Sequence, residues 1–397
     1  MPFSRRLARF GDEVFGALNE KRLELERQGR TLYNLSIGTP DFAPSEAVRR
    51  ALAEAALEPA NWKYALRDTP EMLQAVADYY RRRFGVELTQ DMICSCYGSQ
   101  EGIGHLGLVL CDPGDTVLLP NPCYPVFMAG ALMAEAEPFF YPMTAETGFL
   151  PRVADIPAEV ADRAIYMLVS LPSNPTGSVG TPENYREIIA FAKAHDLLIV
   201  HDNAYSDILF DGQEGGSFLA QPGAADVGVE FFSLSKSFNL TGARISFLIG
   251  RPDVVAAFRK LRSQIDFGMF LPLQKAAVAA LSTPRKDLLD QCARYEERRN
   301  ALCDGLTAIG WPVPRNRGSM FVWAAIPPHY RSSMAFCLDL IQRAGVICTP
   351  GASFGPLGEG YVRFALVLPP DEIARAVEAI RASGLLLPPP ETARGDM

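Results

Sequence analysis

Residues 233–244 have the sequence Ser-Leu-Ser-Lys-Ser-Phe-Asn-Leu-Thr-Gly-Ala-Arg. A largely apolar run that ends at Phe232 precedes this stretch, and a second apolar run at residues 245–249 follows it. Both runs have the length and composition of buried strands, so the polar stretch is predicted to connect two core strands. It places Lys236 close to serine hydroxyls and to Arg244, and such groups are good donors to a phosphate.

A lysine beside a predicted phosphate site indicates a particular cofactor. Most lysines are solvated surface charges, and a lone lysine would be interpreted in that way. Lys236 differs because Ser233, Ser235 and Arg244 accompany it. A lysine amine forms a Schiff base with an aldehyde, and pyridoxal 5′-phosphate carries both an aldehyde and a phosphate. The stretch therefore predicts that Lys236 binds pyridoxal 5′-phosphate.

This motif resembles the cofactor-lysine motif of the class I/II aminotransferases, in which Ser-x-Ser-Lys is followed by an arginine. Here Arg244 lies eight residues after Lys236. The resemblance extends from about residue 10 to residue 385. Residues 263–274, which contain Asp-Phe-Gly, are similar to the subgroup of alanine and LL-diaminopimelate aminotransferases.

The middle of the chain predicts an α/β fold. Apolar runs alternate there with helical patterns, at residues 164–169, 197–200, 229–232 and 245–249. This alternation is typical of a doubly wound domain with a mostly parallel sheet. Ligands of such domains bind at the carboxyl ends of the strands, where Asn174 and Asp202 are expected.

The resemblance implies a fold-type I transferase that depends on pyridoxal 5′-phosphate and has two domains. We predict a large cofactor-binding domain at residues 46–284. A smaller α+β domain is then built from both chain termini, residues 1–45 and 285–397. The sequence also predicts a helix at residues 10–29. The tail after about residue 386 is polar and rich in proline, so we expect it to be disordered.

Two positions near predicted strand ends suit a cofactor by their chemistry. Asp202 follows an aliphatic run, where a carboxylate is costly unless it is paired, and a protonated pyridine nitrogen would pair with it. Ser99 follows Gly98 at the start of a helix, where backbone N–H groups can bind phosphate. A plain N-cap is the alternative for Ser99. The resemblance adds Gln100 to this site, at a position where many family members carry lysine.

The resemblance implies roles for further cofactor contacts. Tyr124 would stack on the pyridine ring, although an ordinary core aromatic would give the same sequence. Asn174 and Tyr205 would face the phenolic oxygen of the cofactor. Tyr64 would reach from one subunit to the cofactor phosphate of the other, with a buried packing tyrosine as the alternative. The loop around Tyr64 departs from the family, because Asp68 stands where glycine is usual.

The resemblance also implies a substrate site formed by Gly38, Asn174 and Arg363. Gly38 would lie near the substrate carboxylate, or would simply form a turn. Arg363 alternates with apolar neighbours and would bind the substrate α-carboxylate, with a structural salt bridge as the alternative. Lys236 would be the general base, Asp202 would keep the ring nitrogen protonated, and Tyr205 would complete the catalytic set.

These features predict an aminotransferase that moves an amino group between an L-amino acid and a 2-keto acid. Substrates of the LL-diaminopimelate, alanine or aspartate type are consistent with the subgroup, and the sequence does not choose among them. A carbon–sulfur lyase or other β-elimination enzyme on the same fold is the main alternative. A cofactor-binding regulatory domain and a non-enzymatic α/β protein fit the complete site less well. The resemblance further implies a homodimer with shared active sites.

Composition excludes several other classes of function. The chain has 397 residues, a net charge of −8 and an isoelectric point near 5.2, which disfavours nucleic-acid binding. The sequence has no apolar run of about 20 residues, so no membrane span is expected. Without the apolar core of a signal peptide, the chain is predicted to be cytoplasmic. The eight cysteines and four histidines are scattered, so no metal site is expected.

Overall fold

A seven-stranded mixed sheet lies at the centre of the chain. The computed structural model describes residues 3–10 and 16–387. The strands of all the sheets in this part of the chain are β1 (Tyr33–Asn34), β2 (Ile93–Cys96), β3 (Thr116–Asn121), β4 (Glu137–Pro142), β5 (Ala164–Ser170), β6 (Leu198–Asp202), β7 (Gly228–Ser233), β8 (Ser246–Gly250), β9 (Phe321–Ala325), β10 (Val346–Ile347), β11 (Thr349–Pro350) and β12 (Tyr361–Ala365).

Helices connect and cover these strands, together with short 3₁₀ turns. The α-helices are α1 (Gly16–Arg27), α2 (Glu46–Leu57), α3 (Pro70–Phe84), α4 (Ser99–Leu110), α5 (Val126–Met133), α6 (Ala158–Ala161), α7 (Pro182–Ala194), α8 (Ala224–Val227), α9 (Leu234–Ser237), α10 (Pro252–Ile265), α11 (Leu271–Leu281), α12 (Arg285–Ala308), α13 (Ser333–Ala344) and α14 (Pro370–Ser383). None of these helices is long and apolar enough to cross a membrane.

The central sheet confirms the predicted α/β class. Its strand order is β2-β8-β7-β6-β5-β3-β4, and neighbouring strands from β4 to β7 are parallel. Strand β8 is antiparallel to β7, and β2 is antiparallel to β8. The strands at its centre are apolar along almost their whole length because helices cover both faces of the sheet.

Alternation along each strand supplies two separate apolar layers. Met167, Ile199 and Phe232 point into the layer on one face of the sheet. Their neighbours Leu168 and Val200 point into the layer on the other face. The carboxyl ends of β5, β6 and β7 are thereby held side by side at one edge, which is where the predicted ligand groups lie.

A second unit packs beside this edge. It contains the antiparallel sheet β11-β12-β9 and the parallel pair of β1 and β10. Its apolar cluster draws residues from 18–35 and 292–385, joined by Tyr205, Ile208 and Phe210. This distribution supports the division into 46–284 and the two terminal segments, which we retain as a proposal.

Local sequence signals explain several helix boundaries. Ser45 caps α2, since its hydroxyl accepts a hydrogen bond from the Val48 amide. Thr69 caps α3 in the same way, with Pro70 at the first helical position. Gly85 ends α3 at φ 68°, a left-handed conformation that glycine adopts without a steric penalty.

Two predicted elements need correction. The helix expected at residues 10–29 is shorter, because Phe10 is extended and Gly29 adopts φ 71° after α1. Residues 11–15 lie outside the described part of the chain. The stretch around Lys236 connects the two strands as predicted, but it contains the single helical turn α9, which Ser233 caps. The expectation of a disordered tail falls largely on residues 388–397, which also lie outside the described chain.

A buried polar network links the central strands. Glu230 of β7 lies opposite His201 of β6, and both side chains are fully buried. The Glu230 carboxylate accepts hydrogen bonds from His201 Nδ1 at 3.0 Å, Tyr80 OH at 2.7 Å, Ser217 Oγ at 2.9 Å and the Phe218 amide at 2.8 Å. Burial raises the pKa of Glu230, but the bonds from His201 and Tyr80 outweigh it and hold the pKa below its usual value.

We predict that Glu230→Gln lowers the free energy of unfolding by about 2–4 kcal/mol, because an amide cannot accept all four bonds and leaves buried donors without partners. Urea unfolding at fixed protein concentration measures this loss. Glu183→Gln is the control, since Glu183 and Arg186 form an exposed pair expected to contribute about 0–1 kcal/mol. Equal unfolding midpoints for the two variants would contradict the prediction.

Candidate active site

One cavity of about 700 Å³ lies at the carboxyl ends of the parallel strands, between the central sheet and the second unit. It brings together every residue predicted for the site except Tyr64. Those residues are Gly38, Ser99, Gln100, Tyr124, Asn174, Asp202, Tyr205, Ser233, Ser235, Lys236, Arg244 and Arg363.

Lys236 projects into the cavity from the single turn α9. Its Nζ donates a hydrogen bond to the carbonyl oxygen of Gly38 at 2.7 Å. Burial lowers the pKa of Lys236 to about 8, and the positive charges of Arg363 and Arg244 act in the same direction. A much larger fraction of this amine is therefore neutral near pH 7 than for a surface lysine.

Asp202 is the last residue of β6 and is buried at the cavity wall. Burial raises the pKa of Asp202 to about 6, while the neighbouring His201 opposes the rise. Its Oδ1 atom accepts no hydrogen bond from the described residues. A buried carboxylate oxygen of this kind is costly, so a cationic hydrogen-bond donor suits the position.

Ser99 and Arg244 form one side of the cavity. Ser99 begins α4 directly after Gly98, which has φ 88°. A Cβ atom at Gly98 would meet the Arg244 guanidinium, and the positive φ is one that residues with a side chain rarely adopt, so glycine suits this position. The Ser99 hydroxyl is buried and has no hydrogen-bond partner within the described chain. The Ser233 hydroxyl, nearby, accepts a hydrogen bond from the Ser235 amide at 3.1 Å.

Arg363 is buried on β12 and is held by neutral groups. It donates to Asn174 Oδ1 at 2.8 Å, to the Ser36 carbonyl at 2.8 Å and to Thr349 Oγ1 at 3.3 Å. The rings of Phe321 and Phe354 lie 4.1 and 4.7 Å from its guanidinium carbon. Burial lowers the pKa of Arg363 to about 10.

The alternative of a structural salt bridge for Arg363 finds no counterpart in residues 3–10 and 16–387. No carboxylate there lies within 4.0 Å of the Arg363 guanidinium nitrogens, and its Nε atom has no partner among those residues. A buried guanidinium without a counter-ion is expensive, so an anion that enters the cavity would be bound strongly.

Two tyrosines complete the walls. Tyr205 packs edge-on against Phe321, with ring centroids 5.6 Å apart, and burial raises its pKa well above the usual range. The Tyr124 hydroxyl lies 3.4 Å from Gln100 Oε1. Tyr124 therefore presents its ring to the cavity while its polar end contacts Gln100.

Tyr64 lies elsewhere in this chain. Its side chain is 82% exposed, so the alternative of a buried packing tyrosine is wrong within the single chain. The ring lies 5.9 Å from that of Phe267, on the outer surface. A role for Tyr64 in a cavity would therefore require a second subunit.

Comparison with known proteins identifies the family. The family profile described as aminotransferase class I and II matches residues 30–380. The chain belongs to the class I and II aminotransferases. It is 40% identical to LL-diaminopimelate aminotransferase of Moorella thermoacetica over 387 residues, covering 96% of this chain and 98% of that protein.

Solved structures agree with this aminotransferase fold. Substrate-bound BacF from Bacillus subtilis superposes with a TM-score of 0.93 at 32% identity, covering 97% of this chain and 98% of that one. A double mutant of Thermus thermophilus aspartate aminotransferase gives a TM-score of 0.91 at 27% identity, covering 96% and 100%. Both the fold-type I architecture and the aminotransferase activity are therefore confirmed.

Aminotransferases of this class depend on pyridoxal 5′-phosphate, which is the cofactor of this chain. The cavity residues fit it. Lys236 offers an amine of lowered pKa, and Asp202 offers a buried carboxylate oxygen that needs a donor. Ser99 and Arg244 offer a buried hydroxyl and a guanidinium for the phosphate.

Sequence reasoning missed part of the site. It did not predict Phe321 and Phe354, which flank Arg363, nor Ser36 and Thr349, which accept its hydrogen bonds. These residues come from separate segments of the second unit and carry no motif of their own. Their contacts arise only when β12, β11 and the segment after β1 pack together, so the linear sequence contains no signal for them.

We predict that Lys236 in the cofactor-free protein titrates near pH 8. Labelling with an amine-selective reagent should rise with pH to a half-maximal rate at about that value, because only the neutral amine reacts. Mass spectrometry of the Lys236 peptide measures the rate. Lys286 is an internal control, since its bond to Asp290 raises its pKa and its labelling should still increase at about pH 10. A Lys236 midpoint close to that of Lys286 would contradict the prediction.

Proposed function

We propose that this aminotransferase takes LL-diaminopimelate, or an amino acid of the alanine or aspartate type, as its amino donor and a 2-keto acid as its acceptor. The relative from Moorella thermoacetica carries the name of the first of these donors. The observation that carries the proposal is Arg363, a buried cation whose partners are neutral groups. Every amino acid and every 2-keto acid presents a carboxylate that could complete this arrangement.

Lys236 and Asp202 have complementary roles in the proposed reaction. Bound pyridoxal 5′-phosphate supplies an electron sink for the negative charge that develops at the substrate Cα. Lys236, whose pKa is lowered to about 8, removes and returns the Cα proton as general base. The Asp202 carboxylate stabilises positive charge at the pyridine nitrogen, because a buried anion prefers a cationic partner.

The remaining predicted residues position the cofactor and the substrate. We assign Ser99, Ser233, Ser235 and Arg244 to the phosphate, with Gln100 beside them. Tyr124 would stack on the ring, and Tyr205 would face its phenolic oxygen.

Arg363 would hold the α-carboxylate, with Asn174 and Gly38 beside it. Asn174 already accepts a bond from Arg363, so it fixes the orientation of the guanidinium before a substrate binds. The Gly38 carbonyl in turn holds the Lys236 amine close to this position.

We also propose a homodimer with shared active sites. The surface around Tyr64 exposes several large apolar side chains, as is typical of an interaction surface. The exposed fractions are 82% for Tyr64, 67% for Trp62, 68% for Leu66 and 49% for Phe267. A second subunit would cover this surface, and Tyr64 would then reach the cofactor phosphate across the interface. A cytoplasmic location stays a prediction from the sequence.

We predict that Arg363→Lys lowers kcat/KM by about 10²–10⁴-fold for every amino-acid donor, because two charge-assisted hydrogen bonds to the α-carboxylate are lost. The assay pairs LL-diaminopimelate, L-alanine and L-aspartate with pyruvate and with 2-oxoglutarate. L-Cystathionine, added as a further substrate, tests the reaction itself, since a β-eliminating carbon–sulfur lyase would cleave its Cβ–S bond and release pyruvate, ammonia and a thiol instead of transferring the amino group.

Two controls accompany this variant. An amine that lacks the carboxylate should lose far less activity than the amino acids do. Arg375→Lys changes an exposed arginine on α14 that pairs with Asp371 and Glu372, and it should leave the activity with all donors unaffected. If the amino acids and the carboxylate-free amine lose activity equally, Arg363 has a structural role and the carboxylate is bound elsewhere.

We predict that two impaired variants complement each other when their subunits are mixed. Lys236→Ala should lower activity by about 10²–10⁴-fold through loss of the base, and Tyr64→Phe by about tenfold through loss of one bond to phosphate. A mixed dimer contains one site free of both changes, so an equal, fully exchanged mixture should reach about a quarter of the wild-type activity. Activity at or below the average of the two parents, with subunit exchange verified by mass spectrometry, would count against shared sites.

A further inference from the structure

Arg22 is a cation of the cavity to which the reaction proposed above assigns no partner. It belongs to α1 and lines the same cavity as Lys236 and Arg363. Leu18 and Leu25 are buried, and Arg22 lies four residues after the first and three before the second, on the same face of the helix. Its side chain is accordingly only 30% exposed. The helix therefore directs this guanidinium toward the protein and not toward bulk solvent.

The charges around the cavity show why Arg22 is unusual. The charged residues of the described chain that line it are Arg22, Asp202, Lys236, Arg244 and Arg363. In the proposed reaction Arg244 pairs with the cofactor phosphate and Arg363 with the substrate α-carboxylate. Lys236 would bind the cofactor aldehyde, and Asp202 would pair with the pyridine nitrogen. Arg22 is left as a positive charge with no assigned anion in the ligands.

The hydrogen bonds of Arg22 in the structure orient its guanidinium but leave some of its N–H groups available for a ligand. Its Nε and Nη2 atoms donate to Asn19 Oδ1 at 3.2 and 2.8 Å, and Nη1 donates to Glu26 Oε1 at 2.6 Å. A guanidinium has five N–H groups, so these three bonds leave two for a ligand. The i, i+4 pair with Glu26 joins the partly buried Arg22 to an exposed carboxylate, and such a pair is weak enough to be displaced by a carboxylate in the cavity. Asn19 also lines the cavity and acts as a positioning residue.

We propose that Arg22 binds the second carboxylate of a dicarboxylic substrate, whether amino acid or 2-keto acid. The inference rests on the proposed function, because it assumes that Arg363 already holds the α-carboxylate. A guanidinium suits this task, since its planar donors match a carboxylate and its charge persists at all physiological pH values. A monocarboxylic substrate would leave Arg22 in contact with Asn19 and Glu26 alone.

The test is the ratio of kcat/KM for a dicarboxylic donor to that for L-alanine, measured in the cofactor-loaded enzyme. L-Glutamate, L-aspartate and LL-diaminopimelate are the dicarboxylic probes. Arg22→Gln should lower this ratio by about 10- to 100-fold, the value of one or two charge-assisted hydrogen bonds. Arg22→Lys should recover part of the loss, because it restores the charge without the planar fork. Glu26→Gln should raise the ratio, because the carboxylate that competes for Arg22 is removed.

Arg27→Gln is the matched control, since Arg27 lies on the same helix but is exposed and does not line the cavity. Its ratio should equal that of the wild type. An unchanged ratio in Arg22→Gln, with the wild-type cofactor spectrum retained, would overturn the proposal. So would a wild-type enzyme that accepts only monocarboxylic donors, although the aminotransferase reaction would then still stand. If Arg22→Gln fails to fold, an unchanged ratio in both Arg22→Lys and Glu26→Gln would overturn it equally.

Discussion

The buried guanidinium of Arg363 connects the two units of the structure at the point where the substrate must bind. It comes from β12 of the second unit and bonds Asn174, which follows β5 of the central sheet. It also bonds the Ser36 carbonyl and Thr349. One side chain thus joins three distant parts of the sequence, at Ser36, at Asn174 and at residues 349–363. Because the partners are neutral, the positive charge is oriented but not cancelled.

This uncancelled charge acts on the catalytic lysine. Burial is the main cause of the lowered pKa of Lys236, and Arg363 and Arg244 add to it. The same cations that bind the substrate carboxylate and the cofactor phosphate therefore increase the fraction of the amine that is neutral near pH 7. Binding of those anions would weaken the repulsion, so the two functions of the cavity charges are linked. Asp202 is the one carboxylate among the described residues that line the cavity, and burial raises its pKa to about 6.

The sequence predicted the central fold and most of the cavity because those features are local. Apolar runs mark β5 to β8, and the polar residues that follow strands β5 and β6 must meet where parallel strands end. Lys236 and Arg244 were identifiable because a short stretch contains them both. The resemblance to the family added Arg363 and Gly38, which no local pattern would assign to the same cavity. It also marked Tyr64, which is 82% exposed in the single chain.

What the sequence could not predict depends on packing between segments far apart in the chain. Helix α1 anchors Leu18 and Leu25 in the apolar cluster of the second unit and packs on α13. Strand β1 then pairs with β10, and the following segment crosses the cavity as far as Gly38. Residues 18–35 therefore pack mainly against residues 292–385, and the segment that follows supplies one wall of the cavity.

A consequence is that substitutions at the contact between α1 and α13 can shift Arg22 without changing any residue that contacts the cofactor. The position of Arg22 depends on how α1 sits on the second unit, whereas Lys236 and Asp202 depend on the central sheet. The residues of the proposed chemistry and the residue proposed to select the substrate are thereby held by different parts of the fold. Elements of the central sheet hold Lys236 and Asp202, whereas α1 presents Arg22 to the cavity from the second unit.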